Sequence, residues 1–154
     1  DVVINIQGDE PFIANGPLRD LVACFQDDRV CVASLMKKFG QTEEPGNPNQ
    51  VKVVCNKHND ALYFSRSLIP FNRNILAQTP VFRHIGVYAY RKQTLLDFTS
   101  WPTGVLEQTE MLEQLRYLEN GISIRMVETD TSSIGIDTPE DLEKAREYNR
   151  SISS

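Results

Sequence analysis

The sequence predicts an α/β fold with a mostly parallel sheet, and three observations carry that expectation. Val2-Val3-Ile4-Asn5-Ile6 is a nearly continuous β-branched run, as a strand covered on both faces requires. An amphipathic helical segment and a second apolar run follow at the spacing of a right-handed strand–helix–strand crossover. Gly8 and Pro11 stop the first run abruptly, so Asp9 and Glu10 stand just beyond the carboxyl end of a buried strand. In open α/β sheets that edge is where ligands bind, although Asp-Glu-Pro reads equally well as a plain acidic turn.

The remaining elements follow in order. Asn15-Gly16-Pro17 is a helix start, with a capping side chain and then proline in the first turn. Leu18, Leu21, Val22 and Phe25 make one apolar face until Asp27-Asp28 ends it. Val30 to Met36 is the next strand, and the polar stretch from Lys37 to Asn49 is a surface loop. Val51–Cys55 and Ala61–Ser65 flank a turn-rich segment and form a hairpin, with His58 a solvated turn residue. After a polar loop carrying Arg73, Arg83 to Arg91 alternates. His84, Gly86, Tyr88 and Tyr90 fall on one face, and Ile85, Val87 and Ala89 on the other, apolar one. Gly86 leaves room for something to approach between His84 and Tyr88. Helices over Lys92–Phe98 and Leu106–Asn120 follow, the second stopped by Gly121, then a strand over Ile122–Val127. Ile134-Gly135-Ile136-Asp137 is a short apolar stub, and Thr138-Pro139-Glu140-Asp141 opens a last helix.

Composition narrows the classes. At 154 residues there is room for one domain with a real core. A formal net charge of -5 gives no basic excess for nucleic acid, and no apolar run reaches membrane-spanning length. Cys24, Cys31 and Cys55 are odd in number, lack metal spacing and lie in apolar segments, so they read as reduced core residues of a cytosolic protein. A central strand that opens at Asp1 needs neighbours, so an N-terminal portion beyond this sequence is expected.

Two segments share one design. Gln7-Gly8-Asp9-Glu10-Pro11 and Gly135-Ile136-Asp137-Thr138-Pro139 each place an aspartate at the end of an apolar segment, beside glycine and before proline. Meeting at one sheet edge, the two carboxylates would suit magnesium, which takes one or two carboxylates plus substrate phosphates. Asp137 is equally well placed as a helix cap.

These segments, together with Asn47-Pro48-Asn49-Gln50-Val51-Lys52, Ala61-Leu62-Tyr63-Phe64-Ser65-Arg66, Arg83-His84-Ile85-Gly86-Val87-Tyr88 and Glu110-Met111-Leu112-Glu113-Gln114-Leu115-Arg116, resemble the 3-deoxy-manno-octulosonate (KDO) cytidylyltransferases, or CMP-KDO synthetases. The resemblance covers almost the whole chain but only the later part of the family's usual sequence. It implies a nucleotide-diphospho-sugar-transferase-like (Rossmann-like) three-layer sandwich with a small β-hairpin extension. Residues 1–154 would be a single domain, the C-terminal part of a larger cytidylyltransferase domain. The implied reaction is CTP plus KDO giving CMP-KDO and pyrophosphate for lipopolysaccharide biosynthesis, in a cytoplasmic, magnesium-dependent homodimer.

By matching position, the resemblance implies that Asp9 and Asp137 are the catalytic metal carboxylates and that Gln7 lies against the nucleotide. Arg66 and Arg73 would receive the sugar's carboxylate or hydroxyls, though both also read as surface arginines. His84 and Tyr88 would contact one ligand from a shared strand face, and Glu113 and Gln114 would bind sugar hydroxyls. Glu113 points away from the apolar stripe, which fits an open pocket and plain solvation alike. Two alternatives stand beside this reading: a cytidylyltransferase for another acidic sugar such as a sialic acid, and an inactive fragment that only binds sugar or dimerises.

Overall fold

The computed structural model describes residues 1–8, 13–74, 76–77, 79–130 and 139–152. In chain order the elements are β1 (Val2–Ile6), α1 (Asn15–Ala23) with a 3₁₀ turn at Cys24–Gln26, β2 (Val32–Lys38), β3 (Lys52–Cys55) and β4 (Ala61–Ser65). They continue with β5 (Phe82–Arg91), α2 (Lys92–Ser100), α3 (Val105–Glu110), α4 (Leu115–Glu119), β6 (Ile124–Glu128) and α5 (Pro139–Ile152). Ala14, not Asn15, is the N-cap of α1, and it supplies no side-chain bond.

One strand organises the sheet. β5 pairs antiparallel with β2 along one edge, in the order β4-β3-β5-β2-β6. Its other edge is shared: β3 meets Phe82 and Arg83, and β1 meets Val87 to Arg91, both antiparallel. β1, β2 and β6 therefore run in one direction, but β2–β6 is the one parallel pair among the described strands. The expected α/β fold is present, and the expected mostly parallel pairing is corrected: the sheet is mixed. Strands that share a direction need not be neighbours, and β5, arriving some fifty residues later, fills the slot between β1 and β2. The β3–β4 hairpin forms as expected and extends the sheet.

β5 is also the plane between two cores, because period-2 alternation sends successive side chains to opposite faces. Ile85, Val87 and Ala89 join Leu21 and Phe25 of the α1 segment with Ala33 and Leu35 of β2. Tyr88 and Tyr90 join Val32 and Met36 with Leu112, Leu115 and Tyr117 of the α3–α4 segment. Helices thus cover both faces, giving three layers. On the polar-aromatic face Tyr88 and Tyr90 are also buried, in stacked rings that extend through Tyr117 to Phe98, while His84 and Gly86 are half-buried. β1 departs from expectation in the other sense. Val3, Ile4 and Ile6 are 37%, 38% and 44% exposed, since among the described residues β1 pairs only with β5. The three cysteines are free and half-buried rather than fully in the core.

The expected long helix over Leu106–Asn120 is two short ones, broken at Met111, which adopts φ 54°. Arg66 causes the break to be comfortable. Its guanidinium donates to the carbonyls of Glu110 (2.8 Å) and Met111 (3.3 Å), acceptors that a continuing helix would have used itself, and to that of Pro48 (3.1 Å) in the loop before β3. The Glu110 carboxylate in turn accepts from Ser65 Oγ at 2.6 Å and from the Arg66 backbone N–H at 2.9 Å. Beyond the break, Arg116 bonds Glu107 through Nη2 at 2.5 Å and Nε at 2.6 Å, stacks on Phe98 at 4.3 Å, and so clamps α4 to α3.

Met111 holds a left-handed conformation with its side chain 75% exposed, so little packing opposes its replacement. Met111→Gly is expected to raise unfolding stability by about 1 kcal/mol, and Met111→Ile to lower it by at least as much, in urea titrations. Equal stability of the two variants would show that the backbone at this break is unstrained.

Candidate functional site

The candidate residues gather where β1 ends against the middle of β5. Ile6 pairs with Val87, so the chain leaving β1 passes beside Gly86. The Gln7 side chain lies over that glycine so closely that an added Cβ would meet its Oε1 at 2.6 Å and its Cδ at 3.2 Å. Gly86 is thus the seat of Gln7, the close approach that a glycine within a strand permits.

His84 lies one pleat away on the same face. Its ring nitrogen Nε2 is 2.9 Å from Ser34 Oγ, and the Ser34 hydroxyl donates to the Val87 carbonyl at 2.9 Å and lies 3.3 Å from that of Ile85. A register shift between Ser34 and Leu35 brings both carbonyls within reach of one hydroxyl. The imidazole is held edge-to-face by Phe64 and tilted against Tyr88, each at 5.2 Å between centroids. Burial pushes the His84 pKa down to about 3, so the ring is neutral at physiological pH. Burial pushes the Tyr88 hydroxyl well above its ordinary range, helped by Tyr90 and by the Glu113 carboxylate, so it stays protonated. Tyr117 is pushed up to about 12, chiefly by burial, with Arg116 opposing and Glu113 adding.

Glu113 is exposed, yet its charge is felt by Tyr88, Tyr90 and Tyr117. It therefore stands at the solvent end of the aromatic face, and Gln114 beside it is buried. Gln7, His84, Tyr88 and Glu113 belong to one face of the sheet. Arg66 is turned to the two carbonyls of the α3 break and to that of Pro48, which together engage three of its N–H groups and leave two of the five a guanidinium carries. Arg73 is exposed in the loop before β5. Asp9 and Asp137 lie outside the described residues. Among the described residues no three His, Cys, Asp or Glu side chains are grouped to hold a metal ion.

Two residues escaped the sequence reading. Ser34, fully buried, is the partner of His84. Lys52, also fully buried, donates through Nζ to the carbonyls of Asn47 (2.9 Å) and Arg66, tying the loop before β3 to the end of β4. Burial lowers its pKa, with Arg66 adding and Glu110 opposing. The signal available for each was a polar residue inside an apolar strand run. A cleft of about 350 Å³ lined by Arg29, Val32, His58, Asp60, Ser123 and Arg125 lies at the opposite ends of β2 and β6, and its arginines are already paired with Asp27 and Asp60.

Comparison with known proteins bears on this site. A sequence model of the cytidylyltransferase family matches residues 1–124. The chain is 53% identical to a 3-deoxy-manno-octulosonate cytidylyltransferase of Flavobacterium johnsoniae, over 99% of this chain and 64% of that protein. It is 49% identical to the protein of the same name from Bacteroides thetaiotaomicron, over 96% and 62%. A solved structure of a CMP:2-keto-3-deoxy-manno-octonic acid synthetase complexed with CTP superposes with a TM-score of 0.90 at 40% identity, over 98% of this chain and 62% of that one. The chain thus spans a little under two thirds of the length of the curated relatives it matches.

The buried imidazole makes stability depend on pH. His84 titrates at about 3 when folded against an ordinary value of 6.5, so below pH 6.5 the unfolded chain takes up a proton that the folded chain refuses. Its contribution is full above pH 6.5 and is lost as pH falls, at up to about 1.4 kcal/mol per pH unit. The expected result is that His84→Gln shows a shallower decline of unfolding free energy between pH 6.5 and 4 than the parent, in urea titrations at each pH. Parallel curves would mean that the ring is protonated in the fold.

Proposed function

Because the chain belongs to the cytidylyltransferase family, we propose that the protein containing it transfers a cytidylyl group from CTP to 3-deoxy-D-manno-octulosonate, releasing CMP-KDO and pyrophosphate. The observation that carries this reading is the 40% identical neighbour complexed with CTP, whose fold this chain shares with a TM-score of 0.90. The names of the relatives at 49% and 53% identity favour KDO over another acidic sugar. The product would serve lipopolysaccharide synthesis in the cytoplasm, and the protein would work as a homodimer.

The reaction is an in-line displacement in which the sugar's anomeric hydroxyl attacks the α-phosphorus of CTP, so the protein's work is positioning and charge stabilisation. Gln7, seated on Gly86 at the end of β1, lies against the nucleotide. His84 and Tyr88 meet the sugar from β5 with neutral groups, the phenol still carrying its proton to donate. Glu113 and Gln114 take sugar hydroxyls from the start of α4. Arg66, through its two uncommitted N–H groups, and the exposed Arg73 receive the sugar's carboxylate, a task suited to a guanidinium fork.

Magnesium fits the donor set at hand. Asp9 follows β1 after Gly8, Asp137 precedes the first residue of α5 by two positions, and two carboxylates are the hard oxygen ligands this ion takes beside phosphates. Asp9 and Asp137 would hold it, and when bound it would offset the triphosphate charge and acidify the attacking hydroxyl.

In the full-length protein, pyrophosphate release from CTP and KDO is expected to require magnesium and to fall at least about 100-fold in Asp9→Asn and in Asp137→Asn. Near-normal turnover in either variant would remove that residue from the metal site. Turnover with a sialic acid but not with KDO would reassign the substrate. Gly86→Ala, which takes the place of the Gln7 side chain, is expected to raise KM for CTP about tenfold with little effect on KM for the sugar. An unchanged KM for CTP would separate Gln7 from the nucleotide.

A further inference from the structure

Ser34 sits in the middle of the apolar run of β2, fully buried, with three polar atoms around its oxygen. The carbonyls of Val87 and Ile85 lie at 2.9 and 3.3 Å, and His84 Nε2 lies at 2.9 Å. Carbonyl oxygens only accept, so the one hydroxyl proton must be directed toward them. Were it turned to Nε2 instead, the lone pairs of Oγ would face two carbonyl oxygens in a dry, low-dielectric site. The Ser34 oxygen is therefore the acceptor toward the imidazole, and Nε2 carries the ring proton. In a neutral imidazole the second nitrogen, Nδ1, is then bare.

Nδ1 is reachable, because His84 is half-buried rather than enclosed and Nδ1 is not among the buried side-chain atoms left without a partner, which among the described residues are Gln50 Oε1 and Arg83 Nε. The Phe64 and Tyr88 rings hold the imidazole plane in place. Beside it on the same face lies the Gln7 side chain, over Gly86.

We propose that Ser34 is a positioning residue: it holds His84 as the Nε2–H tautomer and so makes Nδ1 a fixed hydrogen-bond acceptor for a hydroxyl group of the sugar. The proposal rests on the reading of His84 as a sugar-binding residue and deepens it. A bare nitrogen rewards a donor and repels a carboxylate, whose oxygens are acceptors only. The sugar is thereby turned with a hydroxyl toward β5 and its carboxylate elsewhere, toward the arginines of the loops. Without the serine hydroxyl, Nε2 would lose its acceptor and the two tautomers would become closer in energy. Part of the population would then present Nδ1–H to a sugar hydroxyl.

The chain has two histidines, so the background variant His58→Gln, at an exposed turn, leaves one imidazole in this part of the protein, and its signals are assigned by their loss in His84→Gln. Long-range ¹H–¹⁵N spectra of the full-length protein at pH 7 are expected to show Nε2 protonated and Nδ1 bare, with Nδ1 shifting on addition of KDO. Ser34→Ala is expected to give a mixture of tautomers and to raise KM for the sugar about tenfold while KM for CTP holds. Ser34→Thr, which keeps the hydroxyl, is expected to restore both. A protonated Nδ1 in the parent, or an unaltered tautomer in Ser34→Ala, would overturn the proposal. If the alanine variant does not fold, the parent and threonine spectra decide. A single Nε2–H tautomer whose Nδ1 ignores every sugar acid tried would sink the acceptor role. A shift on addition of another sugar acid but not KDO would support Ser34 and His84 as described while removing the substrate assigned above.

Discussion

The structure depends on one strand, β5, whose second half from Val87 to Tyr90 is buried on both faces. β5 carries large rings on alternate positions and small or branched aliphatics between them, and the pleat sends each set into its own core. Burying the middle of β5 favours a partner for its polar groups, since an unpaired one in this setting costs about 1–3 kcal/mol, and among the described residues Arg83 Nε is the buried side-chain atom of β5 that lacks one. The carbonyls of Ile85 and Val87 are met by Ser34, His84 is met by the same serine, and the guanidinium of Arg91 at the strand's end is spent on the carbonyls of Phe25, Asp27 and Val30. The one position without a side chain, Gly86, is where Gln7 enters. The candidate site is thus the place where the packing rule of the central strand is relaxed by one residue.

Local patterns were legible and distant ones were not. The hairpin boundaries at Lys52–Cys55 and Ala61–Ser65 and the alternation of β5 can be read directly, because each is a short run whose period is its own evidence. The insertion of β5 between β1 and β2 cannot be read that way, since strand order depends on pairings between residues such as Ser34 and Tyr88. Continuous helical spacing likewise hides the break at Met111. Arg66, 44 residues before Glu110, competes for the helix's own acceptors, and no pattern within Leu106–Asn120 records it. The β-branched run of β1 has the composition of a doubly covered strand, whereas Val3, Ile4 and Ile6 are partly exposed. In the site, family likeness put His84, Tyr88, Glu113 and Gln7 on the page together, but Ser34 and Lys52 are meaningful only once their partners 50 and 14 residues away are in contact.

Charge placement follows the cost of desolvation. Ions taken into the fold are each matched by several groups: Glu107 by both Nε and Nη2 of Arg116, Glu110 by a hydroxyl and a backbone amide, Lys52 by two carbonyls. Removing one member of such a set strands the other, which is why these pairs define geometry more than they add stability. Their common product is the α3–α4 corner. Arg66 and Glu110 hold its first half to β4 and Arg116 ties its second half to α3, so Glu113 and Gln114 start α4 at a set height above the aromatic face.

Under the proposed function, this arrangement divides recognition of the sugar acid by polarity. A sugar acid brings two kinds of group: hydroxyls, which discriminate by direction, and a carboxylate, which needs a countercharge. Direction is best enforced by neutral groups held immobile by packing, and half-buried His84 and buried Tyr88 are uncharged and wedged among rings. A countercharge placed in the same position would have to be desolvated before any ligand arrived, at a cost of several kcal/mol with no partner to offset it. Keeping the arginines at the surface, with Arg66 half committed and Arg73 in an exposed loop, avoids that cost. The neutral face can then select for hydroxyl geometry while the rim supplies charge. A fixed acceptor on that face is directional: a hydroxyl turned away from it forfeits the hydrogen bond, whereas a ligand that misses a rim charge leaves only a solvated arginine.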